Sequence, residues 1–164
     1  MVYKVKQKKN KEESDREKSR YQFWSSFLEQ LKKESNIYES ISPSKYNWLG
    51  CSSGFRGVGY NCAIRKFSAQ AEVYIDRRDA DENKKIFQLL ESKKKRIEEI
   101  AGNDLLWEEL PDSRACRISK KTDIGGWQED EKWDELVEEL SKLIIQVKLA
   151  FDNPIKEIQQ KFKS

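Results

Sequence analysis

Glu72 and Asp76 stand four residues apart in Glu72-Val73-Tyr74-Ile75-Asp76, a spacing that puts both carboxylates on one face of a strand. Paired carboxylates can hold Mg²⁺, which activates water and steadies a leaving oxygen in phosphodiester cleavage. Arg65 falls on the neighbouring strand. Restriction-type nucleases, however, place an acid two residues before a lysine, and Glu72-Val73-Tyr74 carries tyrosine at that place. Alternating charge on an open antiparallel face gives the same pattern without chemistry. The expectation is therefore no metal, no cofactor and no catalytic residue.

Other reactive groups are scarce. The chain contains no histidine, which excludes Ser-His-Asp and Cys-His nucleophiles, a histidine base and histidine-bound metal. Its three cysteines (Cys51, Cys62, Cys116) are odd in number and lack a C-x-x-C spacing, so they read as reduced thiols in a cytoplasmic protein. Gly50 through Gly59 invites a phosphate-loop reading. That loop needs G-K-[ST] before a helix, whereas Gly54 precedes Phe55-Arg56 and a strand pattern follows. A loop feeding a strand is the simpler account.

Three basic clusters could converge on phosphates: Arg77-Arg78, Lys93-Lys94-Lys95-Arg96 and Lys120-Lys121. Trp48, Tyr46 or Trp127 could stack bases beside them. Four consecutive helical residues point around most of a helix, so a solvated face also explains the lysine run. Arg77, Arg78, Lys93, Lys94, Lys120 and Lys121 are the candidate nucleic-acid contacts.

The net charge of +3 hides where the charge lies. Lys4, Lys6, Lys8, Lys9 and Lys11 sit in the first eleven residues with no acid among them. Removing these five turns the balance to −2, too even for a protein that coats nucleic acid by charge alone. No stretch approaches the ~20 apolar residues of a membrane span.

The elements that must position these groups follow from periodicity. Residues 1–13 are lysine-rich, with glutamine, asparagine and glutamate among the rest, and read as a flexible basic leader or linker; 14–164 read as one α+β domain. Ser14-Asp15-Arg16-Glu17 fits a capping box, and Phe23, Trp24, Phe27, Leu28 and Leu31 make one helical face. Residues 37–59 read as a long connection with Trp48-Leu49 as an anchor in the core. Tyr60, Cys62 and Ile64, then Ala71, Val73 and Ile75, alternate as a hairpin. A middle helix carries Ile86, Leu90 and Ile97 up to Gly102; two short strands surround Pro111. The stripe from Trp133 to Phe151 is a long helix, with Asn153-Pro154 opening a short last one. The predicted architecture is a four-stranded antiparallel sheet packed with long helices, in the order α-ββ-α-ββ-α.

The chain resembles an uncharacterised prokaryotic family, domain of unknown function 4268. The resemblance rests on Phe23-Trp24, Trp48-Leu49, Asn83-Lys84-Lys85-Ile86-Phe87, Leu106-Trp107-Glu108-Glu109-Leu110, Arg117-Ile118 and Trp133, and spans Arg16 to Phe162. Similar domains often form the C-terminal part of PD-(D/E)XK-nuclease-like proteins, some near restriction or defence genes. The family has no assigned catalytic residues. No nuclease-like segment precedes Ser14, so the expectation is a fragment or a stand-alone form, and no nuclease activity carries over. The resemblance thus implies a non-catalytic accessory domain of a nuclease-like or defence system that contacts nucleic acid or a nuclease-like partner. The alternative is an interaction or dimerisation module built on the C-terminal helix, with Trp127, Ile145 or Leu149 as spare apolar residues.

Overall fold

Apolar residues at every second position in the middle of the chain are there because a sheet buries one face. The computed structural model describes residues 2–162. Strands β1 (Trp48–Ser52), β2 (Val58–Ile64), β3 (Ala69–Ile75), β4 (Leu106–Glu108) and β5 (Cys116–Thr122) form one antiparallel sheet. Its order is β1-β2-β3-β5-β4. Tyr60, Cys62, Ile64, Ala71, Val73, Ile75, Cys116 and Ile118 point to the core and are at most 1% exposed.

Helices cover that face. Helix α1 (Val2–Lys32) and helix α4 (Trp133–Gln160) run long, while α2 (Ala80–Glu91) and α3 (Lys94–Ala101) are short. Leu136, Leu140, Ile144, Val147 and Phe151 of α4 are fully buried, and α4 packs on β2, β3 and β5. Phe23, Trp24 and Phe27 of α1 fill the space beside it, with Phe23 edge-on to Trp133 at 5.6 Å. Burying a side chain of this size contributes about 2–3 kcal/mol.

The α+β class holds, but four details differ from the sequence reading. The connection 37–59 contains an extra edge strand, β1, paired with β2 from Trp48↔Ala63 to Ser52↔Gly59. The Trp24 indole donates to Tyr46 O at 2.8 Å and the Tyr38 hydroxyl donates to Tyr60 O at 2.9 Å, fixing the approach to that strand. Leu49 is the core anchor there; Trp48 is 51% exposed on the opposite face. Helix α1 starts at Val2, so residues 2–13 are helical and Ser14 lies inside the helix rather than at its cap. The middle helix divides at Ser92-Lys93, where the Ser92 hydroxyl donates to Leu89 O at 2.6 Å. Finally, α4 runs through a buried Pro154 instead of ending before it.

The glycine cluster is a hairpin turn. Ser53 N donates to Val58 O at 3.0 Å, and Gly54 and Gly57 take φ of 98° and 87°. A Cβ on Gly57 would overlap the Arg77 side chain, so glycine lets the turn lie against the end of β3.

Candidate functional site

Side chains on the second face of the sheet form three rows. Trp48, Ala63, Gln70 and Lys121 make the first, and Gly50, Asn61, Glu72 and Ser119 the second. The third holds Gly59, Tyr74, Arg117 and Glu108. Gly50 and Ala63 keep the floor low. A Cβ on Gly50 would overlap the Asn61 carboxamide, which therefore leans across β1.

Glu72 is the centre of this face and is only 5% exposed. Its Oε2 accepts from Gln70 Nε2 at 2.9 Å and lies 3.6 Å from Arg117 Nε. Arg117 also reaches Glu108 at 3.7 Å. Burial pushes the Glu72 carboxyl above the usual range, against the opposing pull of the Gln70 hydrogen bond, Arg117 and Arg65. A hollow of about 420 Å³ opens over it, walled by Trp48, Asn61, Arg65, Tyr74 and Arg117. Among the described residues the side chains of Trp48, Asn61, Arg65 and Tyr74 make no hydrogen bond within the protein.

Two further hollows extend the groove. One of about 420 Å³ shares Trp48, Asn61 and Tyr74 with the first and reaches Gly57 and Asp76. The next, about 360 Å³, shares Gly57 and Asp76 and ends at Arg56, Arg77 and Arg78. The groove thus runs from Arg65 at one end of β2 to Arg56 and Arg78 at the other. Arg56, Arg65 and Arg78 have no carboxylate within ion-pair distance among the described residues.

The six basic residues singled out by sequence do not share one surface. Arg77 is spent on the hairpin turn: it bonds Glu82 at 3.1 Å and Arg56 O at 2.5 Å, and lies over the Phe55 ring at 4.7 Å. Lys93 pairs with Glu157 at 2.9 Å, and Lys94 sits 3.9 Å from Glu98, both on the helical side. Lys120 turns to the helices, donating to Ala101 O and to Gln146 at 2.8 Å. Arg78 flanks the groove, and Lys121 stands at the edge of the first row, 3.6 Å from Asp123. Asn61, Gln70, Tyr74 and Arg117 went unnoticed. Their alternation with buried strand residues was the available signal.

The two acids singled out for metal have separate partners. Asp76 is held by Arg114 through bonds of 2.8 and 2.7 Å, while Glu72 is held by Gln70. Among the described residues no three cysteines or acids gather as metal ligands. Burial raises all three thiols: Cys62 is fully buried, and Cys116 is pushed up to about 11.

Fold and groove together define an α+β domain whose outer sheet face is polar and grooved. A model of the domain of unknown function DUF4268 matches residues 19–155, most of the chain. The protein belongs to that family. No curated protein and no solved structure matches it. No helix among the described residues is long and apolar enough to cross a membrane.

Proposed function

We propose that this domain is a non-catalytic accessory module that holds single-stranded nucleic acid across the open face of its sheet. The family resemblance supports a nuclease-like partner, and three unpaired thiols suit a reducing cytoplasm. One observation carries the reading: Trp48, Tyr74 and Asn61, free of internal hydrogen bonds, line a groove whose ends hold unpaired arginines. Aromatic rings on a sheet stack bases, and arginines track the backbone. Of the six residues picked from sequence, Arg78 and Lys121 belong to this surface. Arg77 lines the end of the groove but is held by Glu82 and Arg56 O, while Lys93, Lys94 and Lys120 are engaged on the helical side.

Fluorescence anisotropy with a labelled single-stranded 12-mer tests it. Affinity should fall as salt rises, and Trp48→Ala should weaken it 5- to 150-fold, the equivalent of about 1–3 kcal/mol of stacking. Absence of binding at ~100 µM protein in low salt, where even nonspecific phosphate binders register, would defeat the proposal.

One observation favours a second reading, self-association through α4. Leu149 is 66% exposed and borders a hollow of about 660 Å³ with Leu143 and Ile145. A second copy docked there predicts a dimer in light scattering that Leu149→Lys abolishes. A monomer at millimolar concentration excludes it.

A further inference from the structure

Glu72 is an unusual residue for the middle of a sheet. Its neighbours across the strands, Asn61 and Ser119, are neutral, and it is nearly closed off from solvent. Within the protein only Oε2 is used, by Gln70 and at longer range by Arg117. Oε1 makes no hydrogen bond among the described residues. The Arg117 Nε is likewise buried without a hydrogen-bond partner. A carboxylate oxygen of Glu72 with no partner in the protein, and a buried Arg117 Nε held only by the 3.6 Å ion pair to the other oxygen, thus border one hollow. A ligand that brings donors to the open oxygen gains hydrogen bonds that the protein does not supply.

We propose, building on the nucleic-acid reading above, that the Glu72 hollow is a base-reading subsite for guanine. Guanine alone among the four bases presents two adjacent donors, N1–H and N2–H, on its pairing edge. That pair matches the two oxygens of a carboxylate. Its neighbouring O6 is an acceptor, suited to the guanidinium of Arg117 or Arg65. Adenine and cytosine each set an acceptor nitrogen beside their amine, and a carboxylate repels it. Thymine and uracil offer one N–H between two carbonyls. Trp48, half exposed at the wall, supplies a ring against which the purine stacks. The hollow's volume of about 420 Å³ lies within the ~300–1,000 Å³ range of small-molecule sites.

The test uses the full chain and five nonamers, T4-X-T4, with X as guanine, hypoxanthine, adenine, cytosine or thymine. A single guanine avoids quadruplex formation. The guanine strand should bind about 5- to 150-fold more tightly than the adenine, cytosine and thymine strands. Hypoxanthine keeps N1–H but lacks the N2 amine, so it should fall between. Glu72→Gln should erase the guanine preference, read as the ratio of guanine-strand to all-thymine affinity within the variant. Five strands binding within twofold of one another would overturn the guanine subsite and leave the nucleic-acid reading standing. A guanine preference that survives Glu72→Gln would overturn it too. Failure of every strand to bind would remove both.

Discussion

Arg114 closes on Asp76 with two parallel hydrogen bonds, Nε to Oδ1 at 2.8 Å and Nη2 to Oδ2 at 2.7 Å. This fork ties the segment before β5 to the end of β3, 38 residues away. It also occupies one of the two acids whose spacing suggested a metal site. The Arg114 fork holds the Asp76 carboxyl below its usual range, helped by the Arg78 backbone N–H and Asn83.

That depression sets a pH signature. Asp76 ionises more readily folded than unfolded, so its stabilisation is present above the ordinary aspartate value near ~3.9 and is lost as pH falls through the folded value. Arg114→Ala should lower stability at pH 7, and the gap to the native protein should shrink below pH ~4. Urea unfolding at the two pH values measures it; an equal gap at both would contradict the assignment.

Glu72 has the opposite sign. Its carboxyl is raised by burial, so ionisation weakens the fold: the favourable contribution is full below the ordinary glutamate value near ~4.3 and fades as pH rises through the folded value. Glu72→Gln removes the buried charge and keeps the shape. It should match or exceed native stability at pH 7, with the advantage gone below pH ~4. A loss of several kcal/mol at pH 7 would show that the Arg117 pair outweighs the desolvation.

Gly126 supports the site from a distance. Trp127 N donates to Arg65 O at 2.9 Å and Gln128 N to Lys66 O at 3.3 Å, so this segment braces the β2–β3 hairpin that carries Arg65. A Cβ on Gly126 would overlap the backbone of Arg65 and Lys66. Gly126→Ala should therefore cost about 2 kcal/mol, because backbone cannot step aside as a side chain can. Strand binding should weaken with it. Thermal melts and the 12-mer titration report the two effects.

The thiols predict a labelling order. Cys62 is fully buried and Cys116 is buried with its Sγ donating to Glu109 O at 3.3 Å, whereas Cys51 is half-buried. All three ionise with difficulty. At pH 8 the folded protein should react slowly with a disulfide reagent, Cys51 first, and all three should react at once in denaturant. Fast reaction of Cys62 in the folded state would contradict the packing.

Strands β2, β3 and β5 and helix α4 could be read from the chain because each buries one face, and burial writes a period into the residues. Segments whose structure comes from elsewhere stayed hidden. Trp48-Leu49-Gly50-Cys51-Ser52 has no strong strand composition; it is a strand because β2 offers it an edge. Residues 4–15 of α1 are exposed, so no apolar stripe marks them, although lysine, glutamine and glutamate favour helices. Pro154 signals a helix start by its missing N–H, yet packing on both sides carries α4 through it.

Sequence alone determined what this protein lacks, an imidazole and a paired-cysteine motif, and which strand residues face inward. Only the tertiary structure decided which charges are free. Ion pairing joins residues far apart in the chain, as Arg96 does with Glu157 across 61 positions, and Coulomb attraction depends on distance in space. The conspicuous basic clusters were therefore largely spent inside the fold, and the groove was left to Arg56, Arg65 and Arg78, two of which had no cluster to announce them.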